Sequence, residues 1–176
     1  MEPIDLEQAR ANLVALRLPR VVLDAFDGKP IPEPMKWRFR CPWEMLLDLT
    51  PEQQAEYPAG RVTPVWSDHT GGMVTAYRHD GARPGFLRFV LEQPDVEDES
   101  GLSWPQVLVR ELTTMWEAEV DDEELEDIAT QLGVAFFDPL IRELEENPRA
   151  TEEEEQAWYR AFLARLPAHG ADGGMP

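Results

Sequence analysis

The apolar positions of the chain change period twice. Leu6, Ala9, Leu13 and Leu16 recur at spacings of three and four, which places them on one face of a helix that must end before Leu18-Pro19. Pro19 opens a second, shorter helix with Val22 and Phe26 four apart, and Gly28 supplies the left-handed residue past its end. The prolines of Lys29-Pro30-Ile31-Pro32-Glu33-Pro34 forbid helix and interior strand and predict a stiff, extended connector.

A period of two follows. Lys36-Trp37-Arg38-Phe39-Arg40 alternates basic and aromatic residues, the pattern of a strand with one buried face. The proline-flanked segment from Trp43 to Tyr57 predicts a helical turn or two, and Gly60 to Trp66 a strand that Pro64 confines to an edge or an irregular position. Residues 73–78 and 86–91 alternate again: Met73, Thr75 and Tyr77 share a face, as do Leu87, Phe89 and Leu91. The six residues His79-Asp80-Gly81-Ala82-Arg83-Pro84 between them predict a hairpin turn.

Beyond Leu91 the helical period returns. Ser103 caps a helix with a stripe of Trp104, Leu108, Leu112, Met115 and Trp116, and Leu125, Ile128, Ala129 and Leu132 form the next stripe, closed by Gly133. Asp138-Pro139 starts a third helix carrying Leu140, Ile141 and Leu144, and Thr151 with Glu154 makes a capping box for a last one carrying Trp158, Phe162, Leu163 and Leu166. Helices, then strands, then helices predict an α+β fold: a small, mainly antiparallel, twisted sheet flanked by helices, with a helical acidic C-terminal part. One domain is expected over residues 1–166, with a disordered tail at 167–176, since His-Gly-Ala-Asp-Gly-Gly-Met-Pro is too small and polar to pack.

Charge adds a second layer. The chain of 176 residues has 35 acids and 16 bases, a formal net charge of −19. Residues 92–155 alone hold 22 acids against Arg110, Arg142 and Arg149, while residues 1–91 hold 12 acids and 11 bases, so the excess belongs to one segment. Such a balance argues against nucleic acid and anionic membrane as partners and for a basic protein. The run also reads as the solvated side of amphipathic helices, with acids favoured at helix starts, and that reading leaves the shortage of lysine unexplained. The acids that would carry recognition are Asp95, Glu97, Asp98 and Glu99, and Asp121, Asp122, Glu123, Glu124 and Asp127.

Candidate chemistry is sparse. Ser67-Asp68-His69 has hydrolase residue types, but adjacent turn residues point apart, so it reads as a polar turn completed by Gly71-Gly72. A metal site at His69 and His79 lacks an identifiable third ligand, His169 sits in the tail, and Asp95 to Glu99 lacks the spacing of a calcium loop. No cofactor or metal is expected. Cys41 stands alone, the N-terminal MEPIDLEQAR lacks a basic, apolar leader pattern, and no run approaches about 18 apolar residues, so the expectation is a cytoplasmic protein without a membrane span.

Leu18-Pro19 with Phe26-Asp27-Gly28, then Gly60-Arg61-Val62-Thr63-Pro64-Val65-Trp66-Ser67-Asp68, Gly71-Gly72 before a hairpin and Ser103-Trp104 at the start of a long helix resemble the SUKH superfamily, the Smi/Knr-like proteins. The resemblance covers roughly residues 4 to 120. The prolines at 30–34, the segment between Trp43 and Tyr57 and the acidic helices from Asp121 depart from its pattern. It implies helices packed on a twisted antiparallel sheet, no shared catalytic residues, and binding as the function: bacterial members are commonly immunity proteins that block a toxin, often a nuclease, and fungal relatives are regulatory adaptors. The expected function is therefore a non-enzymatic, immunity-like protein-binding module with a basic partner. The alternatives are an adaptor using Trp37, Trp43 and Trp66 as exposed contacts, and an enzyme with a cleft near Asp68, His69 and His79.

Overall fold

Strands β1 (Val62–Ser67), β2 (Met73–Arg78), β3 (Gly85–Val90) and β4 (Glu97–Leu102) form an antiparallel sheet in the order β1-β2-β3-β4. The computed structural model describes residues 5–36, 38–42, 50–54, 62–68, 72–79, 84–91, 97–147 and 149–166. The chain divides into two compact units, Met1–Leu102 and Ser103–Pro176, the first holding the sheet and the second helical. The fold is α+β, as the pattern of periods predicts. The tail at 167–176 lies outside the described residues.

In the first unit the alternation read from the hairpin is the alternation of the sheet. Val74 stands opposite Phe89 and Ala76 opposite Leu87, so these side chains share a face, where they bury together with Val62 and with Leu91 against them. Thr75 opposite Arg88 and Tyr77 opposite Phe86 belong to the other face, and the Tyr77 and Phe86 rings meet edge to face at 5.0 Å. The strands end at Arg78 and begin again at Gly85, which leaves the predicted six connecting residues. Residues 80–83 of that turn lie outside the described set.

Pro64 puts β1 where it was expected, at the edge of the order, with a break in register between Pro64 and Trp66. Proline has no N–H for the ladder, so the strand slips by a residue there. Trp66 is nonetheless buried, with the Phe39 ring edge-on at 4.7 Å.

Helices α1 (Leu6–Ala15) and α2 (Arg20–Phe26) both contact β1. Ala9 and Leu13 of the α1 stripe are buried, whereas Leu6 is 49% exposed. Asn12 Nδ2 donates to Thr63 Oγ1 at 2.8 Å, which ties α1 to the sheet. Asp27, just past α2, accepts from Arg10 Nε and Nη2 at 2.7 and 3.0 Å and from Lys29 Nζ at 2.6 Å. Hydrogen bonding to Arg10 is the largest cause that lowers its carboxyl to about 2.

Three expectations need correction here. Lys36 to Arg40 is not a strand: the Arg38 and Phe39 N–H groups donate back to the Met35 carbonyl at 3.1 and 2.9 Å, and only Arg40 reaches the sheet, exchanging two backbone bonds with Ser67. Its apolar spacing fits a coil of chain as well, because the buried Met35 and Phe39 are four apart. The connector before it is not wholly extended, for Glu33–Met35 makes a 3-10 turn with Pro34 in its first positions, where a missing N–H is harmless. The acidic stretch after Leu91, finally, contains β4, whose sequence Glu-Asp-Glu-Ser-Gly-Leu has no strand signature. Its pairing comes from β3, with Phe89 opposite Glu97, Arg88 opposite Glu99 and Phe86 opposite Leu102, interrupted by two shifts of register. Acids and irregular pairing are common devices of edge strands. In the Trp43 to Tyr57 segment, Pro51–Gln54 forms one helical turn, α3, and residues 43–49 and 55–57 lie outside the described set.

The second unit holds α4 (Trp104–Glu117), α5 (Asp122–Leu132), α6 (Phe137–Glu146) and α7 (Glu152–Leu163). Every predicted stripe is buried at its centre: Leu108, Leu112 and Met115 on α4, Leu125, Ile128, Ala129 and Leu132 on α5, Leu140 and Leu144 on α6, Phe162 and Leu163 on α7. At about 1.5–3 kcal/mol per fully buried side chain, these stripes are the main source of the unit's stability. Ser103 is the N-cap of α4, and its N–H donates to Gln106 Oε1 at 2.8 Å; Thr151 Oγ1 accepts from the Glu154 N–H at 3.2 Å. Helix α6 begins two residues earlier than predicted, at Phe137, so Asp138 and Pro139 lie inside its first turn.

Two glycines separate steric from conformational demand. A Cβ on Gly85 would stand 2.9 Å from the Leu102 carbonyl oxygen and 3.0 Å from the Gly101 carbonyl carbon, both backbone atoms, whereas Gly133 has open space but a φ of +70°. Gly133→Ala is expected to cost about 1 kcal/mol through backbone strain alone. Gly85→Ala should cost more, about 1–3 kcal/mol, because β4 has to move away from β3. Urea unfolding of both variants checks the order.

Candidate functional site

The nine acids read from the sequence as a recognition surface do not fall on one element. Glu97, Asp98 and Glu99 belong to β4 in the first unit, and Asp95 lies outside the described residues. Asp121, Asp122, Glu123, Glu124 and Asp127 belong to α5 in the second, and all five are exposed, as is Glu126 beside them. Asp121 is the N-cap, its Oδ1 accepting from the Glu123 N–H at 3.0 Å, and the next three acids fill the first turn, where the helix dipole favours them.

Among the described residues no cation pairs with α5. Among the described residues, the ion pairs of the second unit are Arg110 with Glu155 at 3.9 Å, Arg149 with Glu117 at 3.7 Å and Arg165 with Glu143 at 2.5 Å. None reaches α5. Arg165 grips Glu143 with both Nη1 and Nη2, and Trp158 Nε1 donates to the same carboxylate at 3.2 Å. The Arg165 hydrogen bond is the main cause that holds the Glu143 carboxyl below its ordinary range.

The polar residues of the first unit have structural partners. Ser67 is buried and bonds Arg40 through its backbone; Asp68 is half-buried, its N–H donating to the Met73 carbonyl at 3.0 Å and its Oδ1 accepting from the Met73 N–H at 3.3 Å. Thr63 Oγ1 lies 2.7 Å from His79 Nε2 and accepts from Asn12, so a chain of polar contacts joins His79 to α1. His69 lies outside the described residues, and among those described no three His, Cys, Asp or Glu side chains are grouped for a metal ion. Of the tryptophans expected as exposed contacts, Trp66 is buried and unavailable, while Trp37 and Trp43 lie outside the described set. Among the described residues no helix is long and apolar enough to cross a membrane.

A cleft that pattern reading did not anticipate lies within the helical unit. Trp116 and Glu117 from the last turn of α4, Leu144 and Glu145 from the last turn of α6, Arg149 from the connection that follows and Glu155 from α7 line about 550 Å³. Helix α4 stops there because Glu119 takes a left-handed φ of 57° and the Glu119 and Val120 N–H groups donate back to the Trp116 and Met115 carbonyls. The Arg149 guanidinium sits 4.4 Å from the Trp158 ring centroid and 5.9 Å from that of Trp116, and its side chain is only 9% exposed. Its Nη1 is buried and has no hydrogen-bond acceptor among the described residues, a deficit of about 1–3 kcal/mol for a buried donor. Only Arg149's rarity within the acidic segment hinted at it in the sequence.

The electrostatics of this cleft run against the usual order. Glu117 and Glu145 stand at helix C-termini, where the partial charge is already negative and a cation is the stabilising choice. Burial first, and the Glu155 carboxylate second, push the Glu117 carboxyl above its ordinary range in spite of Arg149 and Arg110. A carboxyl raised in the folded state favours folding while it is protonated, and that contribution is lost as pH rises through its raised value. Glu117→Gln should therefore raise the melting temperature near pH 7 by about 1–3 °C. The gain should shrink as the pH falls through the raised carboxyl value and close below the ordinary carboxylate range, where the carboxyl is protonated in both folded and unfolded chains. Thermal unfolding followed by circular dichroism across that range checks both the sign and the window.

Comparison of the chain with family models, with curated proteins and with solved structures returns no significant match.

Proposed function

We propose that the chain is a non-enzymatic protein-binding module of the SUKH type, an immunity-like inhibitor working in the cytoplasm, that engages a basic protein partner through its acidic helical unit. The observation that carries this reading is on α5: six exposed acids, Asp121, Asp122, Glu123, Glu124, Glu126 and Asp127, without an ion-pair partner among the described residues. A solvent-facing helix ordinarily mixes both signs, since pairs four apart add stability and a one-sign surface repels itself. A basic partner supplies the missing counter-charge, speeds encounter by steering and rejects acidic competitors. Nuclease-type toxins, with clefts built to hold phosphate, fit that description, which agrees with the implication of the SUKH resemblance.

Affinity capture from the source cell, followed by stopped-flow association with the purified partner, tests the reading. A basic protein should be retained, and its association rate should fall by about tenfold or more between 50 and 500 mM salt. The combined variant Asp122→Asn, Glu123→Gln, Glu124→Gln, Asp127→Asn should slow association without unfolding the chain. An association rate indifferent to both salt and these substitutions would overturn it.

A further inference from the structure

We propose that His79 makes the joint between α1 and the sheet sensitive to pH, because its charge sets the direction of the hydrogen-bond chain that runs through Thr63 to Asn12 and Gln8. The device stands independently of any basic partner. All four side chains belong to the first unit. Gln8 Nε2 donates to Asn12 Oδ1 at 2.9 Å, Asn12 Nδ2 donates to Thr63 Oγ1 at 2.8 Å, and Thr63 Oγ1 lies 2.7 Å from His79 Nε2. Thr63, the middle link, is fully buried, whereas Gln8 and His79 are exposed.

The buried hydroxyl fixes the roles of its neighbours. Its oxygen accepts from Asn12, and among the described residues its partners are Asn12 and His79. A hydroxyl has one proton to give, and a buried one without an acceptor is costly. That proton therefore goes to His79 Nε2, which makes the ring neutral with its own proton on Nδ1. Protonation turns Nε2 into a donor. Two donors, Asn12 Nδ2 and His79 Nε2, then face one oxygen, and the hydroxyl proton has nowhere to go. The chain recovers by reversing: the hydroxyl turns to Asn12, which presents Oδ1 in place of Nδ2, and the Gln8 amide turns over in step. A charge gained just past β2 is thus felt at two successive turns of α1.

The elements that meet around Thr63 bring charges that are placed elsewhere or paired. Strand β1 has no charged residue; β2 brings Arg78, beside His79 in the chain, and the Tyr77 ring, edge-on to the imidazole at 4.9 Å. Helix α1 brings Glu7 and Arg10, both exposed, with Arg10 held by Asp27 at 2.7 Å, and its cap Asp5 accepts from the Gln8 N–H at 2.7 Å. Helix α2, which also contacts β1, brings Arg20 and Asp24, paired with each other at 3.0 Å. Asp80 and Arg83 follow His79 in the chain and lie outside the described residues.

The test follows the Asn12 side-chain amide and the His79 ring by nuclear magnetic resonance in the full, isotope-labelled chain, from about pH 8 to about pH 5. The Asn12 Nδ2 resonances should move with the same midpoint as the His79 ring, and at the basic end of the range the ring should carry its proton on Nδ1. In Thr63→Val, checked for folding by its melting temperature, the ring should still titrate while the Asn12 amide stays still. His79→Gln changes an exposed side chain and leaves the core intact, and in it the Asn12 response should disappear. Glu7→Gln and Asp80→Asn should keep the response, since neither residue is a link of the chain. An Asn12 amide that stays still while His79 titrates, a response that survives Thr63→Val or His79→Gln, one that is lost in Glu7→Gln or Asp80→Asn, or a neutral ring with its proton on Nε2 would each overturn the proposal.

Discussion

Like-charge repulsion is the constraint that the helical unit is built around. Four helices must bring their apolar stripes together while carrying most of an excess of 22 acids over three bases between residues 92 and 155. Exposed ion pairs are individually weak, so the arginines cannot neutralise the unit. Arg142 and Arg160 are exposed, and the other three gather where α4, α6 and α7 meet. Arg149 lies over Trp158 and near Trp116, Arg110 over Tyr159 and Arg165 over Phe162, each with a carboxylate within 4 Å. Stacking on an aromatic face lets a guanidinium be partly buried and still paired, which a lysine ammonium does less well. Cohesion is concentrated at one place, and among the described residues no ion pair reaches α5.

The sheet unit solves a different problem with nearly balanced charge. Its β3 is paired on both sides and buried along most of its length, and the edges are managed locally. On one edge Pro64 breaks the register of β1, and Arg40 closes the end at Ser67; on the other, β4 is acidic and twice irregular. Both devices hinder the addition of a further strand. Ion pairs here are short-range clasps: Asp27 gathers Arg10 and Lys29, which fixes the end of α2 to α1.

The legible parts of the chain are those in which one local signal is enough. Stripes at three and four, the caps at Thr151 and Gly133, the alternation around Leu87 and Phe89 and the proline of β1 each act within a few residues, and each stands in the structure where the pattern puts it. The illegible parts depend on partners distant in sequence. Strand β4 owes its form to the backbone of β3 rather than to Glu97 or Asp98, and Lys36 to Arg40 coils because Met35 offers its carbonyl to two N–H groups. The cleft is of the same kind. Trp116 was legible as part of a stripe, but its meeting with Arg149 requires three helices to be in place, and no spacing in the chain encodes that distance.

Position within a helix separates acids that the helix favours from acids that it does not. At the start of α5 the carboxylates answer the unsatisfied N–H groups, so their presence follows from helix stability whether or not anything binds. At the ends of α4 and α6, Glu117 and Glu145 stand in the last turn, where the helix dipole disfavours an anion, and burial with the Glu155 carboxylate raises the Glu117 carboxyl further. A count of net charge treats both groups alike. The first group is exposed and acts on its surroundings over about a Debye length; the second stands beside the buried Arg149, whose guanidinium is 3.7 Å from Glu117. One excess of charge thus holds two kinds of acid, those that a helix start stabilises and those that burial and a neighbouring carboxylate penalise, and where each stands on its helix decides which it is.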